Sequence, residues 1–174
     1  NNFGKEIYYL VRGVTKLSVL KYRGFERYAE SLRKMFLAMS KDLRVIIIKL
    51  ADRLHNMETL EGVRSDKRER IAKETLEILS PIANRLGMFD MKTKLEDLSF
   101  PYVYPKEYKW VNSLVQNRLK SELKYIEKIK KIIQRNLIKN NIEDFKLIGR
   151  IKTIYSIYQK LMRKGKDINK VYDL

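Results

Sequence analysis

Apolar residues recur every three or four positions along most of the chain, which is the spacing of amphipathic α-helices. A first helix is predicted within residues 1–22, around Ile7, Leu10 and Val11, and ends near 13–17. A second is predicted over 24–39. The stretch Ser40-Lys41-Asp42 is typical of a helix cap, so a central helix should begin there and run to about Gly62.

The same periodicity continues beyond the central helix. Ser65 or Asp66 is expected to open a helix with a capping box, Pro81 to kink it, and Gly87 to end it. A short helix is predicted over 88–99, and Pro101 and Pro105 then mark a break. A long helix should run from about Glu107 to Lys139 and end at Asn140-Asn141.

The period changes near residue 141, the only visible boundary. Residues 145–148 alternate as in a short strand, and a final helix is predicted from Thr153 to about Lys164. The predicted fold class is therefore mainly α, with the first strand and helix of an α+β domain at the end.

One stretch of the central helix, residues 49–60, combines polar chemistry with an apolar context. It follows the apolar run 45–48, and Asp52, His55, Asn56 and Thr59 share one helical face. An unpaired charge is costly beside a core, so Asp52 should have a cationic partner. Two alternatives stay open: an ion pair with Arg53 or another nearby base, or a divalent metal ion. His55, the only histidine, is more typical of a structural or supporting role.

Composition narrows the choice of function. The 174 residues include 38 Lys and Arg against 21 Asp and Glu, a formal net charge of +17. This excess favours nucleic acid, anionic membrane or phosphorylated small molecules, unless it is only a solvated lysine-rich surface. The absence of cysteine excludes disulfides, thiolate zinc sites and cysteine nucleophiles, and neither a transmembrane run nor a signal peptide is recognisable. A cytoplasmic protein is expected.

A basic face is also predicted on the final helix. Lys152, Ser156, Lys160 and Lys164 follow one another at steps of four, so their like charges repel unless solvent or a bound polyphosphate relieves them. No P-loop or G-x-G-x-x-G motif occurs, which argues against a Walker-type nucleotide site.

Several segments together resemble one family. Residues 49–57, KLADRLHNM, resemble the last signature of the HD-type hydrolase domain in RelA/SpoT (Rel-type) alarmone enzymes. Further similar segments follow in the family's order: GVTKL at 13–17, RKMFLAM at 33–39, DKRERIAKETL at 66–76, PIANRLG at 81–87 and LEDL at 95–98. GRIKTIYSIYQK at 149–160 and VYDL at 171–174 resemble the start of its synthetase domain. Only the long helix is generic.

For the hydrolase, the resemblance implies a helical domain that uses Mn²⁺ to remove the 3′-pyrophosphate from (p)ppGpp. Asp52 matches a metal ligand, Asn56 a catalytic pocket residue and Thr59 a nucleotide contact. A histidine and a His-Asp pair complete the family's metal site and would lie ahead of Asn1, so the chain by itself is expected to be inactive. Glu58 stands where a basic residue is usual, whereas the ADRLHN segment is intact, which favours a hydrolysis-competent parent.

For the synthetase, the resemblance implies transfer of pyrophosphate from ATP to GDP or GTP with Mg²⁺. Nucleotide contacts match at Arg150, Lys152, Ser156 and Lys160, and a magnesium ligand matches at Asp173. Ile151 replaces the usual proline of this motif. The implied organisation is hydrolase over 1–87, connecting helices over 88–140 and synthetase over 141–174. Ribosome association through regions outside the chain is a further implication, and membrane binding is not expected.

One alternative belongs to another class of protein. A basic helical module that binds nucleic acid without catalysis would also explain the charge, but it should cluster base-stacking aromatic residues on a basic face. Many of the 11 tyrosines instead fall on apolar stripes, as at Tyr28 and Tyr158, or near prolines.

Overall fold

The computed structural model describes residues 3–18, 33, 37, 42–149 and 152–167, with side chains at all of these except 16–18 and 117–123. The helix predicted over 24–39 therefore lies outside the described residues, apart from positions 33 and 37. The chain divides into two compact units, Asn1–Val103 and Tyr104–Leu174.

Helices make up nearly all of the described structure, as predicted. The first unit contains α1 (Gly4–Ser18), α2 (Leu43–Glu58), a 3-10 turn (Leu60–Gly62), α3 (Ser65–Glu74), a π-helical turn (Thr75–Leu79), α4 (Ser80–Arg85) and α5 (Phe89–Val103). The second unit contains α6 (Pro105–Lys139) and α7 (Ile154–Arg163). The described residues include no β-strand, so the strand predicted at 145–148 is not found. Its alternation lacks a partner strand there, and an isolated strand is not stable in water.

The first unit encloses one apolar core. Helix α2 contributes Val45, Ile46, Leu50 and Met57, and the elements from the 3-10 turn to α5 contribute the other buried members: Leu60, Ala72, Ile78, Leu79, Ile82, Ala83 and Leu95. From α1, Leu10 and Val14 pack against this core. Ile7 and Val11, predicted on the same stripe, are exposed, because α1 contacts the core through the neighbouring line of residues. Helix α1 is described as far as Ser18, close to its predicted end.

Local capping agrees with the sequence at α2 but not at α3. Asp42 is the N-cap of α2, and its carboxylate accepts the Arg44 backbone N–H at 2.9 Å. The Arg44 guanidinium bonds to Asp42 and to Glu6 of α1. The capping box predicted at Ser65 or Asp66 is absent, because Arg64 is the N-cap and makes no side-chain cap bond.

A π-helical turn precedes Pro81. The Ser80 N–H bonds to the Thr75 carbonyl, five residues back, and Pro81 has no N–H to donate. The helical path from Ser65 to Arg85 is therefore continuous, with a widened turn just before Pro81. Gly87 ends α4 as predicted, with φ of 72°. The Met88 N–H bonds to the Ala83 carbonyl at 2.9 Å, which completes a Schellman cap.

Helix α5 is longer than the predicted segment 88–99. It continues through Pro101 to Val103, and the break falls at Tyr104, immediately before Pro105. Tyr102 and Val103 pack against the core, and Phe100 is fully buried. Burial of this last turn offsets the hydrogen bond that Pro101 cannot make.

The second unit is built on α6 and α7. Val111 and Val115 pack with Ile157 and Leu161, and all four are fully buried. Helix α6 ends as predicted at Asn140, and Asn141 adopts a left-handed φ of 60°. The chain then returns along α6.

Candidate functional site

Helix α2 has two chemically different faces. Its buried residues include two cations beside four apolar residues: Val45, Ile46, Lys49, Leu50, Arg53 and Met57. Asp52, His55, Asn56 and Thr59 all lie at exposed positions. Ile47 and Ile48 are also exposed, at 41% and 42%, so the apolar run 45–48 is buried only over its first half. Consecutive helical residues point about 100° apart, so a run of four cannot share one face.

Asp52 is held by its own helix. Its Oδ2 lies 2.8 Å from the Lys49 ammonium, and its Oδ1 accepts a hydrogen bond from the Asn56 amide at 3.3 Å. The Lys49 hydrogen bond is the main cause of a lowered Asp52 pKa, which keeps the carboxylate ionised near neutral pH. The expected cationic partner of Asp52 is therefore Lys49. The Asp52 side chain is still 45% exposed.

Arg53, the neighbour of Asp52, points into the unit. Its Nη2 lies 2.9 Å from Glu74 Oε1, and its Nη1 donates to the Ile71 carbonyl at 3.3 Å and to Thr75 Oγ1 at 3.4 Å. Its Nε has no hydrogen-bond partner among the described residues. These contacts fasten α2 to the end of α3 and to the π-helical turn.

Thr59 closes the exposed face at the C-terminus of α2. Its Oγ1 donates to the His55 carbonyl at 3.0 Å, and its backbone N–H bonds to the same oxygen at 3.1 Å. The hydroxyl oxygen therefore keeps acceptor capacity on the face that carries Asp52 and Asn56.

The donor chemistry of this face suits one ligand of a hard divalent cation. Asp52 is an ionised oxygen donor at the surface, and a carboxylate offers about four lone-pair sites. Among the described residues no group of three or more His, Cys, Asp and Glu side chains could hold a metal ion. The face thus fits one arm of a metal site, and a complete site needs other ligands.

The second set of predicted residues lies just before α7 and along it, from Lys152 to Lys160 in its last turn. Thr153 is the N-cap, and its Oγ1 accepts the Ser156 backbone N–H at 3.4 Å and lies 3.0 Å from Ser156 Oγ. Lys152, Ser156 and Lys160 are half-buried. Arg150 and Asp173 lie outside the described residues.

Gly149 brings the chain close to α6 just before this set. A Cβ at Gly149 would lie 2.6 Å from Ile126 Cγ2, so only glycine permits this approach. The contact holds the chain against the long helix at Gly149.

Sequence patterns alone miss two residues that hold side chains of α2 in place: Lys49, the partner of Asp52, and Glu74, the partner of Arg53. Lys49 belongs to the buried side of α2, where the partner of a surface carboxylate is not expected. Its spacing of three residues from Asp52 is nevertheless a recognisable ion-pair signal. Glu74 carries no signal of its own, because its contact with Arg53 joins residues far apart in sequence.

The part of the chain that carries this face matches a known family. A family model described as "HD domain" matches residues 1–89, the part of the chain that contains α2 and its exposed polar face. The chain belongs to the HD-domain family.

The relatives are alarmone enzymes by name, as the motifs suggested. The chain is 46% identical over 173 residues to a probable guanosine-3′,5′-bis(diphosphate) 3′-pyrophosphohydrolase of Synechocystis sp., covering 99% of the chain and 23% of the relative. It is 44% identical over 176 residues to a GTP pyrophosphokinase of Myxococcus xanthus, covering 99% of the chain and 23% of the relative. It is 46% identical over 173 residues to the bifunctional (p)ppGpp synthase/hydrolase SpoT of Escherichia coli, covering 99% of the chain and 24% of the relative.

These relatives confirm the resemblance to RelA/SpoT enzymes over the whole chain. The chain spans about a quarter of the length of the relatives it matches. Membership of the HD family supports a divalent metal in the complete site. No helix in the described part of the chain is long and apolar enough to cross a membrane.

Proposed function

We propose that this chain carries the later part of a metal-dependent (p)ppGpp hydrolase site and the beginning of a (p)ppGpp synthetase domain. Residues 1–87 would belong to the hydrolase, 88–140 to connecting helices and 141–174 to the synthetase. The observation that carries the proposal is the exposed α2 face, where Asp52 and Asn56 are hydrogen-bonded 3.3 Å apart and Thr59 follows one turn later.

In the hydrolase, Asp52 would hold Mn²⁺ through a carboxylate oxygen, with the other ligands supplied from outside the described residues. A bound divalent metal lowers the pKa of a water ligand and stabilises negative charge on the leaving pyrophosphate. Asn56 would orient the Asp52 carboxylate through its amide and offer its amide oxygen to the substrate. The Thr59 hydroxyl would contact the nucleotide, since its oxygen can accept a further hydrogen bond.

In the synthetase, Lys152, Ser156 and Lys160 would contact the ATP phosphates along α7, together with Arg150. Backbone N–H groups at a helix N-terminus and nearby cations both favour phosphate. Asp173 would bind Mg²⁺. The acceptor would be GDP or GTP. The same proposal includes a cytoplasmic location and ribosome association through regions outside this chain.

The nucleic-acid-binding alternative gains no support from Tyr158. Tyr158 packs its ring against Tyr104 at 5.9 Å and Tyr155 at 6.0 Å between ring centroids. Its ring is thus used for packing within the second unit.

Asp52→Asn tests the proposal in a full-length enzyme that carries these 174 residues. Loss of a metal ligand should cut Mn²⁺-dependent ppGpp hydrolysis by more than about 100-fold, beyond the usual cost of losing an outer-shell partner. Synthesis from ATP and GDP should continue. Asp66→Asn is the control, because Asp66 is an exposed carboxylate paired with Arg64 at the start of α3. Undiminished hydrolysis by Asp52→Asn, or no hydrolysis by the unmodified enzyme, would refute the proposal.

A further inference from the structure

Lys49 is a buried cation whose partner lies at the surface. The residue is 8% exposed, and its ammonium reaches outward to Asp52 Oδ2 at 2.8 Å. A buried ammonium needs a compensating partner, since burial disfavours its charged form. The Asp52 carboxylate is the partner at the boundary between core and solvent.

The contact leaves the two oxygens of Asp52 in different surroundings. Oδ2 faces Lys49 from the buried side, and Oδ1 receives the longer hydrogen bond from the Asn56 amide. The two donors stand three residues before and four residues after Asp52 on the same helix, so together they define the plane of the carboxylate.

We propose that Lys49 is a positioning residue of the hydrolase site, which holds Oδ2 of Asp52 so that Oδ1 is presented to the metal ion. This inference rests on the proposed function. Metal-ligating carboxylates are usually held by hydrogen bonds from an outer shell, and removing such a partner typically weakens metal binding by about 10–100-fold. A half-exposed aspartate without Lys49 would sample other side-chain orientations and present its oxygen less often.

If Lys49 had a different role, its removal would affect metal affinity differently. If its ammonium merely competed with the metal for Asp52, removal of the charge would strengthen metal binding. If Lys49 only stabilised the fold, its removal would lower stability without changing metal affinity. Metal affinity therefore separates positioning from both other roles.

The test is Mn²⁺ titration, followed by electron paramagnetic resonance, of a full-length enzyme that carries this chain. The relevant Mn²⁺ is the fraction whose binding is lost in Asp52→Asn. Lys49→Met keeps a similar stem without the charge and should raise the Kd of that fraction by about 10–100-fold. Lys49→Arg, which keeps a cationic donor, should recover part of the affinity.

Lys92→Met is the matched control. Lys92 is partly buried and lies 3.3 Å from Glu96 Oε2, so its loss also removes a lysine–carboxylate pair within the first unit. It should leave the Kd unchanged. Circular dichroism verifies folding, and Lys49→Gln, a neutral donor, replaces Lys49→Met if that variant does not fold.

Equal or tighter Mn²⁺ binding by the Lys49 variants would overturn the inference, while the proposed function would stand. Retention of all Mn²⁺ binding by Asp52→Asn would instead overturn the proposed function itself.

Discussion

Gly13 of α1 lies directly against Val45 of α2. A Cβ built on Gly13 would be 2.8 Å from Val45 Cγ2 and 3.2 Å from its Cγ1, closer than packed carbon atoms tolerate. Val45 is buried and branched at Cβ, so its methyl groups cannot easily move aside. The glycine thus sets how closely α1 approaches the helix that carries Asp52.

Gly13→Ala should destabilise the chain despite improving helix propensity. Alanine is favoured over glycine within a helix by about 1 kcal/mol, but overpacking a core contact costs about 1–3 kcal/mol. We expect a net loss of about 1 kcal/mol in the free energy of unfolding, measured with urea. Gly62→Ala is the control, because a Cβ at Gly62 would meet nothing within 4 Å.

Combining Gly13→Ala with Val45→Ala tests whether the loss of stability comes from the contact between these two side chains. The second change makes room for the new methyl group, so the double variant should lose less stability than the sum of the two single variants. Strict additivity would show that the two side chains do not interact in this way.

The ion pair between Arg53 and Glu74 should be a major contributor to the stability of the first unit. Arg53→Met leaves Glu74 without its cation, and removing one partner of a buried pair costs about 3–5 kcal/mol. Glu74 retains some contact with water, so we expect about 2–3 kcal/mol in urea unfolding. Lys73→Met, which breaks the longer and less buried Lys73–Glu77 pair, should cost less than about 1 kcal/mol. Equal losses in both variants would contradict the burial argument.

The N-cap of α2 should make stability depend on acidic pH. The pKa of Asp42 is lowered, chiefly by its side-chain hydrogen bond with Arg44. A carboxyl whose pKa is lower in the folded state contributes stability above its unfolded pKa of about 3.9, and this contribution disappears as pH falls through the folded value. The urea midpoint of unfolding, measured between about pH 6 and pH 2, should therefore fall as the pH is lowered and Asp42 becomes protonated.

Two substitutions separate the charge of Asp42 from its capping role. Asp42→Asn keeps a good N-cap but cannot titrate, so its midpoints should vary less with pH in that range. Asp42→Ala removes the cap as well and should be less stable at every pH. Identical pH profiles for the original chain and Asp42→Asn would refute this assignment.

Short-range patterns determine most of the helical fold and can be read from sequence. The caps at Asp42, Gly87 and Asn140-Asn141 follow from local backbone chemistry, and the structure confirms them. Helix ends that depend on tertiary packing were harder to predict. Pro101 does not end α5, because the turn that follows it is covered by core contacts.

The candidate site shows the same division. The spacing of Asp52, Asn56 and Thr59 is local, and it predicts their common face. The packing of α2 decides which nearby cation pairs with Asp52. Arg53 points toward Glu74, and Lys49 forms the ion pair with the Asp52 carboxylate. The strand predicted at 145–148 failed for a related reason, since strand formation depends on a partner that periodicity does not reveal.

The contacts of Arg53 with Glu74, Ile71 and Thr75 also fix the rotation of α2 about its own axis. Adjacent helical residues are separated by about 100°, so locking Arg53 toward α3 locks the direction in which Asp52 points. At a radius of about 6 Å, a roll of only about 10° would carry the carboxylate about 1 Å sideways. Metal–ligand distances tolerate only about 0.2 Å. An inward-facing guanidinium thereby sets the angle at which the candidate site on α2 faces outward.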